Sequence, residues 1–255
     1  MNITDTHAHL QWKSFDRDRS EVIKRAKQVS VSRVINIGYN IASSKSAVEM
    51  AQMYDGLYAA VGIHPHEAVS VSSSAVAQLL DLCTFGKVVA IGETGLDFYR
   101  DLSPRGAQKE AFERQLVVAR NRDLPIVVHV REAYKEVHEI LSKYAGQLRG
   151  VIHCWSGSIQ MATSYLELGF HIAIGGPITY TSARKLAEIV KYLPLNRMLV
   201  ETDCPWLAPQ SHRGKRNEPS LLPEIIARIA EIRGTTPEAI AGHTSSNAAD
   251  LFNIE

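Results

Sequence analysis

The chain has 255 residues, 45% hydrophobic and 22% charged, with a formal net charge of +1. A chain of that size suits one soluble domain with a sizeable core, expected over 1–255, and the balanced charge removes any global signature of a polyanion or membrane binder. No apolar run reaches the ~18 residues of a spanning helix, no signal peptide is expected from the opening residues, and the three widely spaced cysteines, Cys83, Cys154 and Cys204, do not read as a disulfide framework. A cytoplasmic protein with no membrane contact and no obligate protein partner is expected.

The predicted elements alternate. A first strand, Asn2-Ile3-Thr4, runs into Asp5-Thr6-His7-Ala8-His9. Side chains alternate along a strand, so His7 and His9 face one side. A helix is expected over Asp16–Val29, a strand over Val31–Ile37 and a helix over Ser44–Tyr54. Leu57–Gly62 is the third strand, ending at His64, and Ser74–Thr84 a helix. Lys87–Gly92 is the fourth strand, ending at Glu93. Ser103-Pro104 starts a helix that runs to Arg122. Ile126–Val128 leads to His129, and Glu132–Tyr144 is helical. Val151-Ile152 leads to His153, and Ser158–Leu168 is a helix closed by Gly169. Phe170–Ile174, a helix over Ser182–Tyr192, and Arg197–Val200 followed by Asp203 complete the alternation. After a polar loop, Gln210–Ser220, Leu222, Ile225, Ile226, Ile229 and Ile232 recur at helical spacing. Thr236-Pro237 starts another short helix, and a third ends the chain.

Eight strand–helix units of roughly 32 residues match an α/β chain of the (β/α)8 TIM-barrel class. An open doubly wound sheet is the alternative. In a barrel the strand ends share one rim, and here they carry His7, His9, Glu93, His129, His153 and Asp203. Imidazoles and carboxylates are ligands for Zn²⁺, Mn²⁺ and related ions. Six donors exceed the needs of one tetrahedral ion, so two divalent cations (Mg²⁺, Mn²⁺ or Zn²⁺) bridged by Glu93 are expected. His7, His9, Glu93 and Asp203 would serve one ion, and Glu93, His129 and His153 the other. Paired metals favour hydrolysis, phosphoesters above all, with Asp203 accepting a proton from water. Arg213, Lys215 and Arg216 in the long loop, with Arg131 and His64, are expected to hold a phosphodiester backbone.

Cys154 and Cys204 read as small buried hydrophobes, and Trp12, Trp155 and Trp206 as core filling or as a wall for a nucleobase. His66, His138, His171, His212 and His243 read as having no metal role. An amidase, lactonase or deacetylase on the same scaffold, and a non-catalytic binding protein, are the competing classes.

The chain resembles the TatD family of metal-dependent deoxyribonucleases, within the amidohydrolase-like hydrolases. The matching pieces include Asp5-Thr6-His7-Ala8-His9, Gly62-Ile63-His64-Pro65, Gly92-Glu93-Thr94-Gly95-Leu96-Asp97, His153-Cys154-Trp155-Ser156-Gly157, Glu201-Thr202-Asp203-Cys204-Pro205-Trp206 and Arg213-Gly214-Lys215-Arg216-Asn217-Glu218-Pro219. The resemblance implies a TIM barrel, a divalent metal centre at the positions above, and exonucleolysis of single-stranded DNA from the 3′ end, with RNA open. Trp155 stands where the family often has Phe, and Phe98 where it often has Tyr.

Overall fold

A computed structural model describes residues 2–255. Eight strands form one sheet in sequential order, β1 to β8: β1 (Ile3–Ala8), β2 (Val31–Ile37), β3 (Leu57–Val61), β4 (Val88–Asp97), β5 (Ile126–Arg131), β6 (Gly150–Ile152), β7 (His171–Ile174) and β8 (Met198–Val200). The pairings β1–β2, β3–β4, β4–β5, β5–β6 and β7–β8 are all parallel. Just beyond β8, Cys204 bridges in parallel to Ala8 of β1. This is a (β/α)8 barrel. The sequential order excludes the doubly wound sheet, whose order reverses at a switch point.

The helices are α1 (Arg19–Gln28), α2 (Ile41–Met53), α3 (Ser73–Leu82), α4 (Arg105–Arg122), α5 (Tyr134–Ser142), α6 (Ile159–Glu167), α7 (Arg184–Tyr192), α8 (Leu222–Arg233) and α9 (Pro237–Phe252). The chain divides into two compact units. One comprises the chain up to Asn36, Cys154–Ile159 and Ile172–Glu255; the other comprises Ile37–His153 and Gln160–His171.

In the first unit, α8 presents Leu222, Ile225, Ile226 and Ile229, all buried, at the spacing of one helical face. Helix α9 packs on β1 and β8. Its Asn247 donates to the carbonyls of Leu195 and Met198 (2.7 and 2.8 Å), and Ser245 Oγ accepts from Thr4 N (3.2 Å). Polar side chains here satisfy strand-end backbone that the sheet leaves unpaired.

In the second unit, Ile91, Ile126, Val127, Val128 and Ile152 are fully buried with Phe112 and Leu116 of α4. Two buried glutamines on α4 hold the segments that carry site residues. Gln115 exchanges hydrogen bonds with Ile63 N and O and donates to Thr94 Oγ1 (2.8, 2.9 and 2.7 Å). Gln108 accepts from Asp97 N (2.9 Å) and donates to Ser103 O (2.8 Å).

Among the boundaries that differ from expectation, three have a visible physical cause. Helix α1 begins at Arg19, because a 3-10 turn over Lys13–Phe15 first buries Phe15 completely. The two short C-terminal helices are one, α9: its buried face runs unbroken from Ile240 to Phe252, and Gly242 faces open space. Strand β4 does not end at Glu93 but continues to Asp97, pairing Gly95 with His129 and Asp97 with Arg131. A Cβ on Gly95 would stand 2.0 Å from His129 O, and its φ is +142°, so only glycine lets β4 run past β5 here.

Candidate metal centre

Alternation along β1 turns the rings of His7 and His9 to one side, with their Nε2 atoms 3.1 Å apart. Asp203 Oδ1 lies 3.8 Å from His7 Nε2 and 3.6 Å from His9 Nε2. The backbone makes this proximity: Asp203 N donates to His7 O (2.8 Å) and His9 N to Cys204 O (2.9 Å). Asp203 takes a left-handed φ of +56°, a conformation that Asp tolerates better than most residues.

Beneath them lies a buried latch. Asp5 Oδ1 accepts from Thr202 N (3.0 Å) and His7 N (3.2 Å), and Oδ2 from Thr202 Oγ1 (2.6 Å). Burial pushes the Asp5 carboxyl up to about 7, against those three donors. Asn217, fully buried, donates to Thr202 O (2.8 Å) and Trp206 O (2.7 Å) and so fastens the long loop to the same segment.

The second unit holds a second cluster, centred on Glu93. His129 Nδ1 and His153 Nε2 are each 2.8 Å from Glu93 Oε1, and His64 Nε2 is 3.5 Å away. Burial works to raise the Glu93 pKa, but His153, His64 and His129 outweigh it and hold the carboxyl well below its ordinary range. His129 Nε2 faces Asp97 Oδ2 (3.2 Å), which also meets His66 Nε2 (2.9 Å). Burial opposes ionisation of Asp97 too, yet His129, Arg100 N and His66 keep its pKa well below the usual value.

The ring nitrogens can be told apart. His129 faces a carboxylate at each nitrogen, Asp97 at Nε2 and Glu93 at Nδ1, and both raise its pKa against burial; with Nε2–H given to Asp97, Nδ1 is the nitrogen that a cation at Glu93 would take. His64 Nδ1 accepts from His66 N (3.1 Å), so neutral His64 carries its proton on Nε2 and presents a donor there. Burial lowers the His64 pKa to about 4, which keeps the ring neutral.

The donor sets fit divalent ions. In His7–His9–Asp203 one donor atom from each residue lies within 4.8 Å of the others, and Glu93 Oε1, His129 Nδ1 and His153 Nε2 lie 2.8, 2.8 and 3.3 Å apart. Ligands at ~2.1 Å from an ion are separated by about 3 Å in octahedral and about 3.4 Å in tetrahedral geometry. The observed 3.1–3.8 Å and 2.8–3.3 Å lie around those edges.

The expected substrate contacts divide. Arg131 is exposed, with its guanidinium 4.4 Å over the Tyr99 ring, and Arg213, also exposed, is 4.7 Å over Tyr180. Lys215 is exposed. Arg216 has another partner: it donates to both Asp18 carboxylate oxygens (2.8 and 2.6 Å) and to Ser14 O (2.6 Å). Arg25 adds a fork onto Glu218 (2.8 and 2.6 Å), and the four charges pin the loop to α1. Trp155 is buried at 2% exposure and fills the core, whereas Trp206 is 41% exposed, edge-on to His9 and to Trp12 (5.1 and 5.0 Å between ring centres). Cys204 is buried, as expected, and Cys154 is half-buried.

Sequence reasoning passed over Asp97 and gave His66 no part. The signal was present: Glu93, Gly95 and Asp97 share one face of a strand by period two, once β4 is known to continue. Asp5, Thr202 and Asn217 carry no ligand chemistry, and only their hydrogen bonds reveal them.

The family model described as TatD related DNase matches residues 4–253. The chain is 42% identical over 251 residues to the protein named uncharacterized metal-dependent hydrolase YabD of Bacillus subtilis, covering 98% of each. It is 37% identical over 257 residues to the 3′-5′ ssDNA/RNA exonuclease TatD of Erwinia tasmaniensis, covering 98% of this chain and 99% of that one. The crystal structure of YJJV, a TatD homolog from Escherichia coli, superposes with a TM-score of 0.94 at 31% identity, covering 99% of this chain and 98% of that one. The sequence motifs, the barrel and these likenesses agree that the chain belongs to the TatD related DNase family of metal-dependent hydrolases.

Proposed function

We propose that the chain is a two-metal phosphodiesterase that removes nucleotides from the 3′ end of single-stranded DNA or RNA. His7, His9 and Asp203 would hold one divalent cation, and Glu93, His129 and His153 the other. Cations at such donors acidify water and offset charge on phosphoryl oxygens. Asp203, at a side-chain exposure of 14% the most open of the carboxylates, accepts the proton that the attacking water gives up. Glu93, kept anionic by its imidazoles, supplies fixed negative charge. The Nε2–H of His64 donates to a phosphate oxygen, and Trp206 offers a ring on which the terminal base stacks. Arg131, Arg213 and Lys215 neutralise the backbone without reading bases. Arg216 serves instead to hold the loop that carries two of them.

The observation that supports the reading most is the pairing of a partly exposed carboxylate with two imidazoles at a strand end, in a chain related throughout its length to named exonucleases. The test uses DNA and RNA strands labelled at either end, and a panel of amides and lactones. Protein stripped with a chelator should be inactive and should recover with added Mn²⁺, Mg²⁺ or Zn²⁺, releasing label from the 3′ end first. Asp203→Asn should lose about 10²–10⁴-fold in turnover with an unchanged circular dichroism spectrum. Amide or lactone turnover without strand cleavage would overturn the reading.

A further inference from the structure

A second surface feature lies on the loop side of β7, outside both donor clusters. It is a cleft of about 660 Å³ lined by Thr179, Tyr180, Arg184, Lys185, Glu188 and Arg228, among others. Three cations face one carboxylate there, in a chain whose net charge is only +1. Arg228 is engaged by Glu231 (2.6 Å). Arg184 and Lys185 are exposed and enter no ion pair among the described residues, whereas Arg216 and Arg25 of the same unit do. Two adjacent exposed cations outside any ion pair repel one another, which a polyanion relieves.

The cleft is joined to the Asp203 segment. A Cβ on Gly176 would lie 1.9 Å from Leu207 O, so the loops after β7 and β8 run in backbone contact that only glycine allows. Gln210 N donates to Thr179 Oγ1 (2.8 Å), and Tyr180 Oη to Ala208 O (3.1 Å). Arg213 stacks on Tyr180 at the cleft's edge. From Asp203 outward, the surface therefore offers Trp206, then Arg213 on Tyr180, then Arg184 and Lys185. Alternating aromatic and cationic side chains suit a single polynucleotide strand, whose bases stack and whose phosphates need neutralising.

We propose that this cleft is a backbone-binding groove for the part of the substrate strand that trails 5′ of the cleaved bond. The proposal rests on the exonuclease reading, because a 3′ end held at the metal centre leaves the 5′ portion outside. It makes the enzyme selective for longer strands through affinity rather than through chemistry.

The test compares wild type with Arg184→Glu/Lys185→Glu, and with the neutral pair Arg184→Gln/Lys185→Gln in case reversal disturbs α7. For each, kinetics are measured on a dinucleotide and on a ~20-nucleotide strand. The reversal should raise the ratio of the long-strand KM to the dinucleotide KM about tenfold, with kcat held. The slope of log affinity against log salt should fall by about 1.4, two phosphates at about 0.7 each. Unchanged ratio and slope would overturn the groove while leaving the exonuclease reading intact. If wild type cleaves neither substrate, that reading fails, and fluorescence anisotropy with the labelled long strand still decides the groove. Wild type that does not bind, or variants that bind equally well, would overturn it.

Discussion

His129 has two ring nitrogens, and Asp97 decides which of them is available. By accepting from Nε2, Asp97 leaves Nδ1 turned toward Glu93. Asp97→Asn can present an amide N–H at that position, which favours the opposite tautomer. The substitution should weaken divalent-metal affinity about 10–100-fold, read by calorimetric titration of stripped protein. His66→Ala removes only the outer contact of the same carboxylate and should act less. At this scale the candidate donors stand out in the sequence: His129 and His153 directly follow short apolar runs, Asp203 comes three residues after Val200, and His7 and His9 form a His-x-His pair at the end of the first strand. Asp97 was hidden by the same logic, since a strand expected to stop at Glu93 has no later positions. The partners of Arg216 were hidden for another reason. A cation in a polar loop reads as a ligand for phosphate, and nothing local reveals a carboxylate on a helix two hundred positions earlier.

The loop after β8 is an element that has little regular structure and is held by charge. Asp18 is drawn down to about 2 from an ordinary 3.8, first by its hydrogen bond from Arg216 and then by Arg25, against some burial. A carboxylate whose folded pKa lies below its unfolded one stabilises the fold fully above the unfolded value and loses that contribution as pH falls through the folded one. The difference in Tm between wild type and Asp18→Asn should therefore be constant above about pH 5, fall as pH drops through about 4 to 2, and be gone by about pH 1. It should be small, roughly 1–3 °C, because the pair is half open to solvent and salt-screened. Helices and strands were largely legible from alternating apolar runs, since a barrel repeats one motif with short connections. The exceptions, the start of α1 and the unity of α9, turn on burial. Phe15 must be covered before α1 can begin, and α9 continues through Gly242 because its inner face is sealed on both sides of that residue.

For the whole molecule, bound ions belong to the folding equilibrium as well as to the chemistry. Buried imidazoles and carboxylates gathered without a cation are poorly compensated, and a ligand that binds only the native state stabilises it by mass action. Adding divalent cation at ~100 times its Kd to stripped protein should raise Tm by roughly 5–10 °C, measured by differential scanning fluorimetry. Magnesium, manganese and zinc should rank by affinity in that shift, independently of any turnover assay.

The hydrogen bond from Asp203 N to His7 O, reinforced by Asp5 on Thr202, joins positions separated by almost the entire polypeptide. A chain emerging from the ribosome presents His7 and His9 at once, yet their carboxylate partner arrives only near the close of synthesis. The His7–His9–Asp203 cluster is thus completed late in biogenesis. On the proposed function, a nascent or truncated product that stops short of Asp203 lacks one of the centre's carboxylates and should not cleave a strand.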